Sequence, residues 1–290
     1  MDFVKQFTQE LNKPNPKPER LALAIAGLAF PTLEPQKYLD QLDEMAELVQ
    51  RTLFAVPSGK ERARHFLQFI NQQFGFVGNR EHYYDPNNSF LNVVMERRTG
   101  LPIMLSLLCM AIGQRIHVDI AGIGFPGHFM VRYQDAAGAW LLDPFHGQVL
   151  DSSEATAYLT RLFGQPIQLT PDAYTAVSAA ALAQRILNNL RSVYLSQKAF
   201  GMAARVMDYL LVFAPSTATV WRERGLLHHY NEDWDAAAHD LRRYFFLIGQ
   251  PIPTLEAKVQ GKDGSAPLNE QDRQLYEVLQ KIEEVRHQIN

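Results

Sequence analysis

The chain has 290 residues, of which 47% are hydrophobic, and a formal net charge of −3 at pH 7. This length and apolar content suit one large domain or two modest ones with a proper core. The basic residues are dispersed along the chain, so the sequence offers no electrostatic footprint for nucleic acid. The single cysteine, Cys109, excludes an internal disulfide bond and any metal site built from several cysteines.

The first twenty residues are polar, and the apolar runs that follow are short. The longest run, LPIMLSLLCMAIG over 101–113, falls short of the roughly 20 residues that a membrane-spanning helix needs. We therefore expect neither a secretory signal peptide nor a membrane span, and we predict a cytoplasmic protein that does not bind membranes.

Helical patterns dominate the chain after residues 1–17, which we interpret as a polar tail. Apolar residues at spacings of three and four predict two helices within 18–56, broken at Pro31. A third helix is predicted over 58–76, with Ser58 as its N-cap and Gly75 as the residue that ends it. The first part of the chain is therefore expected to be helical.

The middle of the chain changes from helical to alternating patterns. Turn-forming residues in YYDPNNSFLN precede a short predicted helix that ends near Gly100. A buried helix is predicted from about Pro102 to Arg115, with proline at its favoured first position. Three strands are predicted next, at 117–124, 128–134 and 138–143. The hairpin-like QDAAG joins the last two strands, which predicts a small antiparallel sheet.

Residues beyond about 175 are predicted to be helical, with an internal repeat. Windows 184–217 and 218–251 align with a period of 34 residues and carry small residues where paired helices pack. This pattern resembles the tetratricopeptide repeat, although Arg224 and Gly249 replace a usual leucine and proline. A polar linker over 256–272 and a last helix over 269–287 are predicted to follow.

A histidine and an aspartate mark the two predicted strands in GHFMVRYQDAAGAWLLDPFHG. His128 opens one strand and Asp143 ends the next, 15 residues later, with a turn between them. Neighbouring antiparallel strands would bring the two side chains together, with Asp143 on the same face of its strand as Leu141. Such a pair usually serves a nucleophile.

The stretches YYDPNNSFLNVVMERRTGLPIMLSLLCMAIGQRI, GFPGHFMVRY and WLLDPFHG resemble the transglutaminase-like domain of the bacterial SirB family, in which tetratricopeptide repeats follow that domain. The resemblance implies an α+β fold. N-terminal helices and a papain-like core with a small antiparallel sheet would occupy 18–165. An all-α region of tetratricopeptide-like repeats with a C-terminal helix would occupy 175–290.

The resemblance also implies a catalytic triad, of which this chain keeps two members. In the superfamily a cysteine begins a buried helix, a histidine lies on the following strand and an aspartate on the next. His128 and Asp143 match the histidine and the aspartate. The nucleophile position falls in GLPIM, where Pro102 and Ile103 stand, so the dyad is degenerate.

Three other residues near this position carry a thiol or a hydroxyl: Cys109, Thr99 and Ser106. Cys109 lies six residues past Ile103, about 9 Å along the helix axis and some 240° round it, among leucines that would raise the thiol pKa. We expect it to be a buried packing residue. Thr99 precedes the helix, where we expect a capping role, and Ser106 is expected to bond a backbone carbonyl.

Asn88 and Asn92 are the candidate binding residues, and two interpretations of them stay open. One is that Asn88 or Ser89 caps the short helix. The other, implied by the Asn-x-x-x-Asn pattern of the SirB family, is that Asn92 faces the His128 pocket. The resemblance alone does not decide between them.

The sequence predicts no metal ion and no cofactor. His82 and His146 flank the candidate site without metal-ligand spacing, and no HExxH motif occurs. The glycines of 121–127 lead into a strand, so no helix N-terminus awaits a phosphate. His228 and His229 fall on a repeat helix, where we expect exposure to solvent.

Three hypotheses of function follow. The favoured one is a non-catalytic transglutaminase-like protein that binds a protein or peptide partner on its helical repeats, in a regulatory role. The alternative is a cysteine-protease-like hydrolase or acyltransferase that uses the dyad of His128 and Asp143 with an unconventional nucleophile or an activated water. A pocket that binds a peptide or small molecule without turnover is a third interpretation.

Overall fold

The computed structural model describes residues 2–169, 171–250 and 269–289. It divides into two compact units, Met1–Asn189 and Leu190–Asn290. The predicted α+β class holds, since a small antiparallel sheet lies among helices in the first unit and only helices are described in the second.

Four helices begin the first unit: α1 (Phe3–Leu11), α2 (Pro18–Ala26), α3 (Pro35–Leu53) and α4 (Lys60–Gln68), the last continuing into a π-helical turn (Phe69–Gln73). Helix α1 lies within the segment expected to be a polar tail. It forms because Phe3 and Phe7, four residues apart, both bury their rings, and because Asp2 accepts a hydrogen bond from the Lys5 backbone N–H.

A 3₁₀ helix (Pro86–Ser89) and α5 (Leu91–Arg97) precede the buried helix α6 (Pro102–Arg115). Two short parallel strands, β1 (Val77–Gly78) and β2 (Thr99–Gly100), pair beside them. The expectation that Asn88 or Ser89 caps α5 is wrong. Both residues belong to the 3₁₀ helix, which Asp85 caps, and the residue before α5 is Phe90, which makes no side-chain cap.

The main sheet has four antiparallel strands in the order β3 (Asp119–Phe125), β4 (His128–Asp135), β5 (Gly138–Asp143) and β6 (Gln148–Leu150). The three predicted strands are present, and the short β6 adds a fourth. Helix α7 (Ser152–Phe163) follows β6.

The faces of the sheet follow the predicted alternation. Met130 and Leu141 pack in one hydrophobic cluster with Leu159 of α7. On the other face Tyr133 contacts Phe66 of α4, with ring centroids 5.9 Å apart. Since side chains two residues apart share a face, His128 and Asp143 point to the α7 side.

A tight turn fixes His128 at the start of β4. Phe125 pairs with His128 across the β3–β4 hairpin, so only Pro126 and Gly127 form the turn. Gly127 has φ +70°, a left-handed conformation that glycine adopts without strain, and Pro-Gly is the preferred central pair of a type II turn.

In the second unit, helices pair as the repeat pattern predicts. Helix α8 (Ala179–Ser196) crosses the boundary between the units and is followed by α9 (Phe200–Phe213), α10 (Ala218–Tyr230), α11 (Trp234–Leu247) and α12 (Glu270–Ile289). Gly225 permits the close contact of α10 with α11, because a Cβ there would lie 2.9 Å from Leu241. Most of the predicted linker over 256–272 lies outside the described residues.

Candidate functional site

Asp143 is the centre of a buried hydrogen-bond network. Its Oδ2 accepts hydrogen bonds from His128 Nε2 at 2.8 Å, His146 Nδ1 at 2.8 Å and Tyr158 Oη at 2.6 Å. Its Oδ1 accepts from the backbone N–H groups of Phe145 at 3.0 Å and His146 at 3.1 Å. The side chain is fully buried, so these five donors fix its orientation.

The network also keeps Asp143 ionised. Burial by itself opposes the charged form, but the hydrogen bonds from His128, His146 and Tyr158 outweigh it and hold the pKa of Asp143 well below its usual range. A carboxylate accepts hydrogen bonds and cannot donate them, so both imidazoles donate to it. His128 is therefore left with Nδ1 as the nitrogen that could exchange a proton or meet a ligand.

This lowered pKa predicts a pH dependence of stability. A carboxyl whose pKa is lower in the folded state adds stability above its unfolded pKa, about 3.9, and loses it as the pH falls towards the folded value. We expect an Asp143→Asn variant to lose less of its remaining stability than the wild type between pH 6 and 3. Urea unfolding across this range checks it, and parallel profiles for the two proteins would contradict it.

A cavity of about 330 Å³ lies beside His128 in the first unit. His128 and Phe129 of β4 line it together with the first residues of α6, Leu101, Pro102 and Ile103. The start of α6 and the histidine thus share one cavity, as the superfamily arrangement implies. Among the described residues that line it, none carries a thiol or an aliphatic hydroxyl.

The other candidate nucleophiles lie elsewhere. Cys109 is fully buried in α6, and burial raises the pKa of its thiol far above the ordinary value. The Ser106 hydroxyl donates to the Phe129 carbonyl at 3.3 Å, so the expected backbone partner is confirmed. Thr99 pairs in β2 and does not cap α6, whose N-cap residue is Leu101, so the capping expectation is wrong.

Asn88 shapes the loop that borders the cavity. Its Nδ2 donates to the backbone carbonyls of His82 at 2.7 Å and Tyr83 at 3.2 Å, and its Oδ1 accepts from Asn79 at 2.9 Å. These bonds hold Tyr83, which lines the cavity. Asn92 is also buried, but it lies beside Tyr38 and is not among the residues that line the cavity.

The network contains two residues that the sequence analysis did not assign to the site, His146 and Tyr158. The ligand atoms of His128, Asp143 and His146 lie within 4.8 Å of one another, a grouping that could hold a metal ion. In this arrangement both imidazoles instead donate to Asp143. His146 could have been predicted from the sequence, because it follows Asp143 by three residues in DPFHG. No sequence pattern indicates that Tyr158, on the next helix, contacts Asp143.

Arg185 of α8 is a third unpredicted residue. Its Nη2 donates to the backbone carbonyls of Phe125 at 2.6 Å and His128 at 2.9 Å, the two residues that flank the Pro-Gly turn. Its guanidinium carbon lies 5.3 Å from the centroid of the Phe129 ring. Arg185 therefore braces the turn that presents His128 and also lines the cavity.

Residues 36–188 match the family model of the transglutaminase-like superfamily, and residues 190–258 match a model of the tetratricopeptide repeat. The chain belongs to the transglutaminase-like superfamily. The matched segment contains the whole Asp143 network and every residue that lines the cavity except Asn189, so the candidate site is that of a transglutaminase-like domain.

Curated relatives place the transglutaminase-like chain within the predicted SirB family. A UPF0162 protein of Xylella fastidiosa is 32% identical over 237 residues, covering 78% of this chain and 82% of the relative. SirB1 of Salmonella typhimurium is 26% identical over 222 residues, covering 76% and 81%. Human F-box only protein 21 is 27% identical over 252 residues, but these span only 40% of its length.

Two further expectations concern membrane-spanning helices and the exposure of a histidine on a repeat helix. No helix among the described residues is long and apolar enough to cross a membrane. His229, expected to be exposed, is partly buried, and burial lowers its pKa.

Proposed function

We propose that this chain is a non-catalytic member of the transglutaminase-like superfamily that acts through protein–protein interaction, with the helical repeats binding the partner. The observation that carries the proposal is the wall of the cavity at the start of α6. Pro102 and Ile103 stand at the position that the resemblance gives to the nucleophile, and their side chains cannot attack a carbonyl. Cys109 cannot replace them, since it is buried and its thiol is held protonated.

The Asp143 network gives the surviving dyad a role without chemistry. Asp143 joins β5 to β4 through His128 and to α7 through Tyr158. Buried polar groups are costly unless their hydrogen bonds are satisfied, so this network stabilises the packing of the sheet on the helix whether or not His128 acts as a base.

The alternative function is hydrolysis or acyl transfer in which His128 activates a water. It is favoured by one observation, the orientation of the imidazole, whose Nε2 is engaged by Asp143 on the edge of a cavity. A His128→Ala variant separates the two functions, because it would abolish turnover by the alternative route and leave binding on the repeats intact.

The helical repeats supply a candidate binding surface. Among the described residues of the second unit, Tyr230 and Phe246 are large hydrophobic side chains that are each 60% exposed. Exposed aromatic side chains are typical of interaction surfaces, and repeats of this kind commonly bind peptides and proteins.

The test is a comparison of full-length chains in quantitative affinity capture from the source cells. We expect His128→Ala to recover the same partner as the wild type, and the double variant Tyr230→Ser/Phe246→Ser to lose it. Circular dichroism and the urea midpoint of each chain serve as folding controls. Loss of the partner from a stably folded His128→Ala chain, with retention by the double variant, would overturn the proposal.

A further inference from the structure

Arg185 is a half-buried cation on the wall of the cavity, without a carboxylate partner among the described residues. Within the described part of the chain, Nη2 is the one guanidinium nitrogen that is hydrogen-bonded, to the carbonyls of Phe125 and His128. The Nε–H and the two Nη1–H donors remain, because a guanidinium carries five. Gly124 leaves room for this group, since a Cβ there would lie 2.5 Å from Nη1.

The rest of the cavity wall, as far as the structure describes it, adds no negative charge. The described residues that line it include no aspartate or glutamate. Helix α6 begins at Pro102 and has no side-chain cap, so the positive end of its dipole meets the cavity. Arg185 is half-buried, and this burial lowers the pKa of its guanidinium, so an anion beside it would stabilise the charged form.

Most of the other lining side chains are apolar or aromatic, and His128 and Asn189 add polar groups. Ile103, Phe129 and Tyr83 line the interior, and Tyr84, which is 74% exposed, lies on the solvent side. The volume of about 330 Å³ is at the lower end of the range for small-molecule sites, about 300–1,000 Å³. Arg185 carries a single positive charge, which balances the one negative charge of a carboxylate but not the two of a phosphate. Its planar guanidinium also matches the geometry of a carboxylate.

We propose that this cavity binds a carboxylate attached to an apolar or aromatic group, with Arg185 as the cation that recognises it. Either the C-terminal residue of a peptide or a small organic acid carries this chemistry. The inference deepens the proposed function and rests on it, since a cavity in a non-catalytic domain acts by binding.

The test is a titration of the full-length protein followed by NMR. The probes are N-acetyl-L-phenylalanine and its amide, N-acetyl-L-phenylalaninamide, which differ only in the carboxylate. We expect the acid to bind at least about tenfold more tightly than the amide, the ratio expected for one charge-assisted pair. Equal binding of the two probes, or no binding of either up to roughly 10 mM, would overturn the inference.

A second pair of probes distinguishes the two sources of the carboxylate. A hexapeptide that ends in phenylalanine is compared as its free acid and as its amide. Tighter binding of the peptide acid than of the acetylated amino acid identifies a peptide C-terminus as the natural ligand, and equal binding identifies a small acid. Both outcomes support the inference, whereas a peptide amide that binds as tightly as the peptide acid contradicts it.

Variants identify the recognition residue. Arg185→Gln is expected to remove the preference for the acid. Because Arg185 also braces the β3–β4 turn, the exposed Tyr84 supplies a second, matched pair of variants that differ in charge. Tyr84→Lys should raise and Tyr84→Glu should lower the ratio of the affinity for the acid to that for the amide, each by roughly two- to fivefold. The same ratio in both Tyr84 variants would contradict the inference.

The same samples separate failure of this inference from failure of the proposed function. Conversion of the amide to the acid during the titration, abolished in His128→Ala, would overturn the non-catalytic proposal. Equal binding without conversion would overturn only the recognition of a carboxylate.

Discussion

Replacing Asp143 with alanine is expected to lower the free energy of unfolding of the first unit by about 3–5 kcal/mol. The substitution removes the acceptor of five hydrogen bonds and leaves His128, His146 and Tyr158 with donors in a buried or half-buried place. Each unsatisfied buried donor costs about 1–3 kcal/mol, although relaxation and water entry reduce the sum. Hydrogen exchange in urea, followed by mass spectrometry on peptides of the first unit, measures the loss.

Two controls make this result specific. His128→Ala removes a single donor, and Asp143 keeps four others, so the expected loss is smaller, about 1–2 kcal/mol. Asp119→Asn alters an exposed aspartate of the same sheet that lies 3.7 Å from Arg132, and it should change stability by less than about 1 kcal/mol. A loss for Asp143→Ala no larger than that for Asp119→Asn would show that the network does not stabilise the fold.

Replacing Arg224 with alanine is expected to destabilise the second unit by about 3–5 kcal/mol. Its Nε and Nη2 bond both carboxylate oxygens of Asp240 at 2.6 and 2.8 Å, and its Nη1 bonds Asp208 at 2.6 Å. These three residues come from α10, α11 and α9, so one guanidinium joins three helices. Without it, Asp240, which is only 1% exposed, is left as a buried charge without its cation.

A double-mutant comparison tests this account. Adding Asp240→Ala to Arg224→Ala removes the stranded carboxylate and should recover much of the lost stability. Arg191→Ala breaks a partly exposed pair with Glu223, at 2.8 Å, and should cost less than about 1 kcal/mol. Hydrogen exchange of α9–α11 peptides gives all three values. A double variant less stable than Arg224→Ala would contradict the expected coupling.

Sequence patterns predicted the core of the site because it depends on local geometry. The 15-residue spacing of His128 and Asp143 places them on adjacent strands, and the alternation of side chains along a strand places them on one face. The structure has them in this arrangement. The helix start at Pro102 could also be predicted, since proline is favoured in the first turn. The repeat period likewise predicted α9 to α11, because each helix pair repeats the same small residues at its contacts.

The parts that were missed depend on contacts between distant residues. Arg185 lies 57 positions after His128, and nothing in its own helix marks it as a partner of the turn. One of the two interpretations made Asn88 or Ser89 a cap, because asparagine before a helix usually is one, but the Asn88 side chain bonds Asn79 and the His82 carbonyl instead. Helix α1 was not predicted, because two buried phenylalanines, Phe3 and Phe7, give only a weak apolar pattern in a segment of mostly polar residues.

The measurement that tests the central claim most directly is the rate at which iodoacetamide modifies Cys109 in the native chain at neutral pH, compared with free cysteine. A Pro102→Cys variant is the positive control, because a thiol there would sit at a helix N-terminus beside His128. A non-catalytic site predicts that Cys109 reacts at least about a hundredfold more slowly than free cysteine until urea unfolds the chain. Modification of Cys109 faster than free cysteine, slowed by His128→Ala, would contradict the account and identify a working nucleophile.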